Sequence, residues 1–261
     1  MLNLINYLTQ IFKILIILIK IYLIILGLSF FLIKNSFSIE KNQIIRHAGG
    51  SIDNETYTNS LESLKKSIEE GYDFIELDMI TSSDNKIIFT HDWQTFYRQT
   101  GETINTPITK NEYLKRKILN KYTTIDSKNL NIIMSEHQNI YIVTDKLNDF
   151  KLIQNTFQYF DRVIIEIFGM KNYIKSFFYK NLKNENRLFS THLVLRHKIF
   201  IKILNIKKLA VPCNYVIPNK EFLKKHVQND GEVFCWSEND PEIIKNYLDE
   251  KLITKAYSDH L

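Results

Sequence analysis

The sequence predicts an α/β protein: a TIM-type (β/α)8 barrel with a small insertion after the third strand, preceded by an N-terminal hydrophobic helix. Three observations predict it. Short apolar runs alternate with stretches of helical spacing from about residue 40 onward. The length of 261 residues suits one such barrel, which typically takes about 250. Acids and histidines stand at the ends of several apolar runs, the place where a parallel barrel keeps its active site.

In order along the chain, Gln43 to His47 reads as a strand ending at Gly49-Gly50. Asn59-Ser60 opens a helix with Glu62 in its first turn, Leu61, Leu64 and Ile68 keep helical spacing, and Gly71 closes it. Phe74 to Met79 is a strand, Ser82 to Asn85 a turn, and Lys86 to Thr90 another strand joined without a helix. A loop-rich insertion follows, about residues 94–139. Ile140 to Thr144, Val163 to Ile167, Leu188 to Leu195, Leu209 to Cys213, Val233 to Trp236 and Ile253 to Tyr257 are further strands, and Asn172 to Tyr179 is helical. That makes nine candidates for eight barrel places. Alternation of this kind argues for parallel strands and right-handed crossovers.

Residues 11–33 are apolar apart from two lysines, and the uninterrupted part, Ile21 to Ile33, is the length of a signal-peptide core. Residues 1–38 therefore read as a signal peptide cleaved after Ser38, or as a membrane anchor with Lys20 reaching the interface. A buried core helix is the third reading. Lysines lie on both sides of the apolar core, so charge does not fix orientation. The expectation is a membrane-anchored or exported protein whose domain, residues 39–261, is extracytoplasmic. The net charge of +5 falls to +2 without residues 1–34, and no basic stripe with interleaved aromatics stands out, so a nucleic-acid partner is not expected. Cys213 and Cys235 have neither zinc-type spacing nor a CxxC pair and read as two buried thiols, with a disulfide as the less favoured alternative.

Glu76 and Asp78 are two apart in a strand and so point the same way. With Asp145 they form an oxygen-rich cluster. Three unpaired carboxylates would repel one another, and a hard divalent cation, Ca2+ or Mg2+, removes the conflict. His47 and His91 then read as a general acid–base pair for phosphodiester cleavage, one histidine protonated and the other neutral near neutral pH. His137, His192, His197, His226 and His260 read as surface or packing residues. No GxSxG, GxxxxGK[ST], GxGxxG or HExxH occurs.

The chain resembles the glycerophosphodiester phosphodiesterase family. The resemblance rests on HAGG at 47–50, TNSLESL at 58–64, IELD at 75–78, HDW at 91–93, IVTDK at 142–146, WSEND at 236–240 and YSDHL at 257–261. It implies an α/β barrel, a divalent metal on Glu76, Asp78 and Asp145, and His47 with His91 as the acid–base pair. It also implies cleavage of a small-molecule glycerophosphodiester to glycerol 3-phosphate and an alcohol. In related phosphatidylinositol phospholipases C a substrate hydroxyl attacks phosphorus, and glycerol's free 2-hydroxyl could do the same here. Arg46, Asn59, Lys146, Glu166 and Trp236 are expected around the substrate. Glu166 has a salt bridge, and Trp236 simple packing, as alternatives. Two departures stand out. Ala48 occupies the place where many members carry Arg, and Asp145 and Lys146 are adjacent where an acid-x-Lys pattern is usual. A lysophospholipase D- or sphingomyelinase D-like phospholipase on the same fold, and a catalytically silent membrane-tethered binding domain, are the rival readings.

Overall fold

The computed structural model describes residues 13–28, 39–103 and 106–261. It divides into two compact units, residues 1–39 and 40–261. In the first, residues 13–28 are helical. Among the described residues no helix is long and apolar enough to cross a membrane. The rest of the expected signal or anchor segment, with the cleavage point after Ser38, lies outside the described residues.

In the second unit eight parallel strands close a barrel: β1 (Ile44–Arg46), β2 (Phe74–Thr81), β6 (Tyr141–Asp145), β7 (Val163–Phe168), β8 (Arg187–Ser190), β9 (Lys208–Pro212), β10 (Glu232–Trp236) and β11 (Lys255–Ser258). β1 pairs with both β2 and β11, which leaves no free edge. One layer of its interior is Ile45, Val143, Ile164, Leu188, Ala210, Phe234 and Tyr257, with Phe74 packed against them. Each comes from a different strand, so the centre is filled by side chains.

The surplus candidate is β3 (Ile87–Phe89), which is not a barrel stave. β2 overruns the barrel, and β3 pairs antiparallel with its last residues, Phe89 against Met79 and Ile87 against Thr81. The turn between them is held by Ser82, whose hydroxyl donates to the Asp84 carboxylate at 2.7 Å. The insertion packs Phe96, Tyr97 and Tyr113 against Ile88 of β3 as a second small core and carries a two-stranded ribbon, β4 (Lys117–Ile118) with β5 (Tyr122–Thr123). It ends earlier than the sequence suggests. The helix Ser127–Glu136 buries Leu130, Ile133 and Met134 and is the barrel's own crossover into β6. The expected strand Leu188 to Leu195 is also shorter: β8 stops at Ser190, and Leu195 starts a helix.

Cys213 and Cys235 are buried as expected, but they form a disulfide between the ends of adjacent strands. Val211 lies opposite Cys235 in the β9–β10 register, so the two side chains come within bridging reach, with Cα atoms 5.1 Å apart. A spacing of 22 residues carries no hint of that neighbourhood.

The exit from β1 bends sharply. Ala48, Gly49 and Gly50 take φ of 48°, 86° and 88° in succession. At Gly50 a Cβ would stand 2.5 Å from Ser67 Oγ and 2.6 Å from Arg46 Nε. At Gly101, also left-handed, nothing lies within 4 Å. Gly50→Ala should therefore destabilise the barrel by about 2–4 kcal/mol, through strain plus clash, and Gly101→Ala by about 1 kcal/mol, from strain alone. Urea unfolding of the two variants beside the parent tests the difference.

Candidate active site

Side chains in a strand alternate, so each residue of the interior layer is followed two positions later by another pointing into the barrel. Above Ile45 comes His47. Above Phe74 come Glu76 and then Asp78. Above Val143, Ile164, Phe234 and Tyr257 come Asp145, Glu166, Trp236 and Asp259. All of these line one cavity of about 550 Å3 at the C-terminal end of the strands. The site is thus the next storey of the core, built from charged and aromatic residues.

Three carboxylates meet at its floor. The β2–β6 register sets Asp78 directly opposite Asp145, and one oxygen each from Glu76, Asp78 and Asp145 lies within 4.8 Å of the others. Burial, then the Asp78 and Asp145 charges, push the Glu76 carboxyl well above its usual range. Burial and Asp78 do the same to Asp145. Glu76 Oε1 and Asp145 Oδ1 are buried with no hydrogen-bond partner. Orphaned acceptors are costly in a protein interior, and a hard divalent cation is the ligand that all three carboxylates fit.

Neighbouring groups hold the acids in place. The Ala48 amide donates to Glu76 Oε2 at 2.7 Å, which links the left-handed turn after β1 to the acidic floor. Asn59 grips Asp78 twice: its Nδ2 donates to Asp78 Oδ2 at 2.8 Å, and its Oδ1 accepts from the Asp78 amide at 2.9 Å. Lys146 Nζ lies 3.2 Å from Asp78 Oδ1 and 3.4 Å from Asp145 Oδ2. Burial alone would lower the Lys146 pKa, but the Asp145 and Asp78 charges outweigh it and raise it. Alternation would send Lys146 out of the barrel beside an inward Asp145. Its φ of 59° turns the chain so that both line the cavity, which explains how an adjacent acid and lysine serve one site.

Both histidines are oriented by aspartates. His47 Nδ1 lies 2.9 Å from Asp259 Oδ1. Asp259 Oδ2 accepts from Asn239 Nδ2 at 2.9 Å, and Asn239 Oδ1 accepts from the Asp259 amide. Burial raises the Asp259 pKa, but hydrogen bonds from His47 and Asn239 win, and the carboxyl is held below its usual range. His91 Nδ1 lies 2.5 Å from Asp92 Oδ2, and Asp92 Oδ1 caps the helix Trp93–Thr100 through the Thr95 amide. An ionised carboxylate only accepts, so each Nδ1 carries a proton and each Nε2 is left for the cavity. β3 brings His91 back to the level of the acids, and the Thr90 amide donates to the Asp78 carbonyl at 3.1 Å. Tyr57 stands between the two imidazoles, its ring 4.5 Å from that of His47 and 5.9 Å from that of His91.

Two expected substrate contacts are elsewhere. Arg46 follows inward-facing Ile45 and so points outward. It is buried against the Tyr72 ring, donates to Ser67 Oγ at 3.2 Å and to the Leu261 carbonyl, and does not line the cavity. Asn59 is spent on Asp78 and does not line the cavity. Glu166 does line it. Its carboxyl accepts from the Tyr257 hydroxyl at 3.2 Å, forms no ion pair among the described residues, and is pushed up to about 7 by burial. Trp236 is also in the wall, with a buried Nε1–H that has no partner. Of the other histidines, His192 sits edge-on to Trp236, while His197 and His226 bond to Thr191 and to the Lys207 carbonyl. Sequence reasoning missed Tyr57, Asp92, Asn239 and Asp259 as functional positions. The last three lie inside HDW, WSEND and YSDHL, so the signal for them was present.

The model of the glycerophosphoryl diester phosphodiesterase family matches residues 47–211. The chain belongs to this family. No curated protein matches the sequence significantly. Among solved structures, a glycerophosphodiester phosphodiesterase from Parabacteroides distasonis is similar at 16% identity and TM-score 0.66, over 85% of this chain and 94% of that one. One from Agrobacterium tumefaciens shares 12% identity at TM-score 0.62, over 84% and 96%. A phosphodiesterase from Oleispira antarctica, in complex with the product sn-glycerol-3-phosphate, shares 12% identity at TM-score 0.59, over 84% and 93%. At such identities the likeness is one of fold. The family match places His47, Glu76, Asp78, His91 and Asp145 inside its span, with Asn239 and Asp259 beyond it.

Two expectations follow for this family member. Glu76 and Asp145 hold their protons to higher pH than in the unfolded chain, so the folded state binds more protons from about pH 4 upward through the raised values. Metal-free stability therefore falls as pH rises, and a metal must displace protons at low pH. The melting-temperature rise given by calcium or magnesium should be larger at pH 8 than at pH 5.5, as differential scanning fluorimetry would show. Asn59→Ala frees Asp78 and should weaken divalent-metal affinity about 10–100-fold in calorimetric titration.

Proposed function

We propose that the protein hydrolyses glycerophosphodiesters to glycerol 3-phosphate and an alcohol, with a divalent cation and the His47–His91 pair. The observation that carries this reading is the meeting, in one cavity, of two histidines with aspartate-anchored Nδ1 atoms and three carboxylates with unsatisfied oxygens.

Glu76, Asp78 and Asp145 would hold calcium or magnesium, which when bound supplies charge neutralisation at the phosphoryl oxygens. Lys146 is the sole Lys or Arg in the described cavity wall and adds a second positive charge for the phosphate. One imidazole Nε2 takes the proton from the attacking oxygen, whether water or glycerol's 2-hydroxyl. The other gives a proton to the departing alkoxide oxygen. Asp259 and Asp92 keep both rings in the tautomer this needs and stabilise each imidazolium as it forms. A cavity of about 550 Å3 has room for a small diester and its headgroup. The Cys213–Cys235 disulfide supports an exported location, since such bonds persist in oxidising compartments.

His47→Ala and His91→Ala should each lower turnover of glycerophosphocholine, glycerophosphoethanolamine or glycerophosphoglycerol by at least about 10²–10⁴-fold while leaving metal affinity near that of the parent. Coupled assay of glycerol 3-phosphate, beside calorimetric metal titration, reads both. Wild-type turnover in either variant contradicts the assignment.

A further inference from the structure

One side of the barrel is unlike the rest. Residues 170–207 carry nine Lys and Arg and a single acid, Glu185, whereas residues 35–261 together are nearly balanced at 31 against 29. That segment is strongly basic, and the remainder of the domain is net acidic. Five of the nine lie on two neighbouring helices, Met170–Ser176 after β7 and Leu195–Ile203 after β8, which pack together through Tyr173 and Phe200, while Arg187 is buried in β8. Their outer faces are apolar. Leu195, Ile199 and Ile203 recur every four residues and form one stripe, with Leu195 and Ile203 each 74% exposed. On the neighbouring helix Ile174 is exposed, and Phe178 just past its end is 81% exposed. Lys171, Lys175, Arg196 and Lys202 flank these side chains, are exposed, and make no ion pair among the described residues.

We infer that this face docks on the surface of an anionic lipid bilayer, with Phe178, Leu195, Ile199 and Ile203 entering the headgroup–acyl boundary and the surrounding lysines pairing with lipid phosphates. Protruding apolar groups ringed by unpaired cations are the chemistry that an anionic interface rewards on both counts. A second copy of the chain does not fit, because a two-fold contact would set two strongly cationic faces together. Nucleic acid would satisfy the charge but offers no partner for protruding Leu and Ile, which neither stack nor hydrogen-bond. The helix Met170–Ser176 also supplies Asn172 to the cavity wall, and the helix Leu195–Ile203 begins at the cavity end of the barrel. Docking through this face brings the cavity rim to the membrane surface.

The test uses the full chain on vesicles. Phe178→Trp and Leu195→Trp each place an indole on the face. Lys65→Trp, on the helix Leu61–Glu69 across the barrel, is the control, and unsubstituted protein supplies the background of Trp93 and Trp236. The N-terminal segment can bind lipid in all of them alike, so the readout is local to the added indole. On phosphatidylglycerol vesicles both face indoles should shift to the blue and lose about half or more of their emission to brominated acyl chains. On phosphatidylcholine, and at position 65, neither change should occur. Adding Lys171→Glu, Lys175→Glu and Lys202→Glu should abolish the response. Thermal melts establish folding, and either reporter suffices if the other destabilises the barrel. Three results would overturn the inference: face indoles that stay in water on phosphatidylglycerol vesicles carrying the protein, an equal response on phosphatidylcholine, or a response to single-stranded oligonucleotide that displaces the lipid.

Discussion

Three carboxylates buried within a few ångströms of one another are the constraint around which the rest of the domain is arranged. Such a cluster opposes folding, because burial and mutual repulsion both disfavour its charged form. The surrounding structure offsets this residue by residue. A left-handed Ala48 turns its amide onto Glu76, Asn59 bonds to both ends of Asp78, and a left-handed Lys146 returns its ammonium to Asp78 and Asp145. Left-handed backbone is tolerated at all three of these places, Asn59 included with φ of 45°, and a functional requirement is what most often keeps it.

The same cluster explains the placement of the histidines. A barrel delivers side chains to its C-terminal face only from strand ends and the loops after them. His47 comes directly from β1. His91 comes by a longer route, since β2 overruns the barrel and β3 folds back along it. That detour is why the first two chemical stretches of the sequence lie close together without a helix between them. It also brings the insertion beside Tyr57, whose carbonyl accepts from Gln99 Nε2 and whose ring is wedged between the two imidazoles. Each histidine then has an aspartate behind it, and each aspartate is itself fixed, Asp259 by Asn239 and Asp92 by a helix start.

Much of this was legible from strand parity alone. Glu76 with Asp78, His47 with Ile45 and Asp145 with Val143 are period-two relationships, and a closed barrel converts them into a common site. What parity could not supply was the route of residues beyond a strand end. The Asp145–Lys146 adjacency departs from the family's acid-x-Lys pattern, and the left-handed turn that returns Lys146 to the cavity lies beyond the reach of parity. Arg46 is expected around the substrate, although the same alternation, with Ile45 facing inward, sends it outward to the Leu261 carbonyl. Asn59 was placed correctly at a helix start, but its contact with Asp78 is long-range. The disulfide and the identity of the surplus strand were out of reach for the same reason: both depend on which strands are neighbours, and spacing along the chain does not encode that.

The proposed reaction breaks one particular bond, that between phosphorus and the oxygen of the departing alcohol. Phosphorus NMR of glycerophosphocholine incubated with the protein and calcium or magnesium follows that bond without a coupling enzyme. The account predicts that the diester resonance is replaced by that of glycerol 3-phosphate, directly or through a cyclic phosphate, and that a chelator stops the change. Appearance of phosphocholine, or an unaltered diester in folded protein that has bound metal, would contradict it.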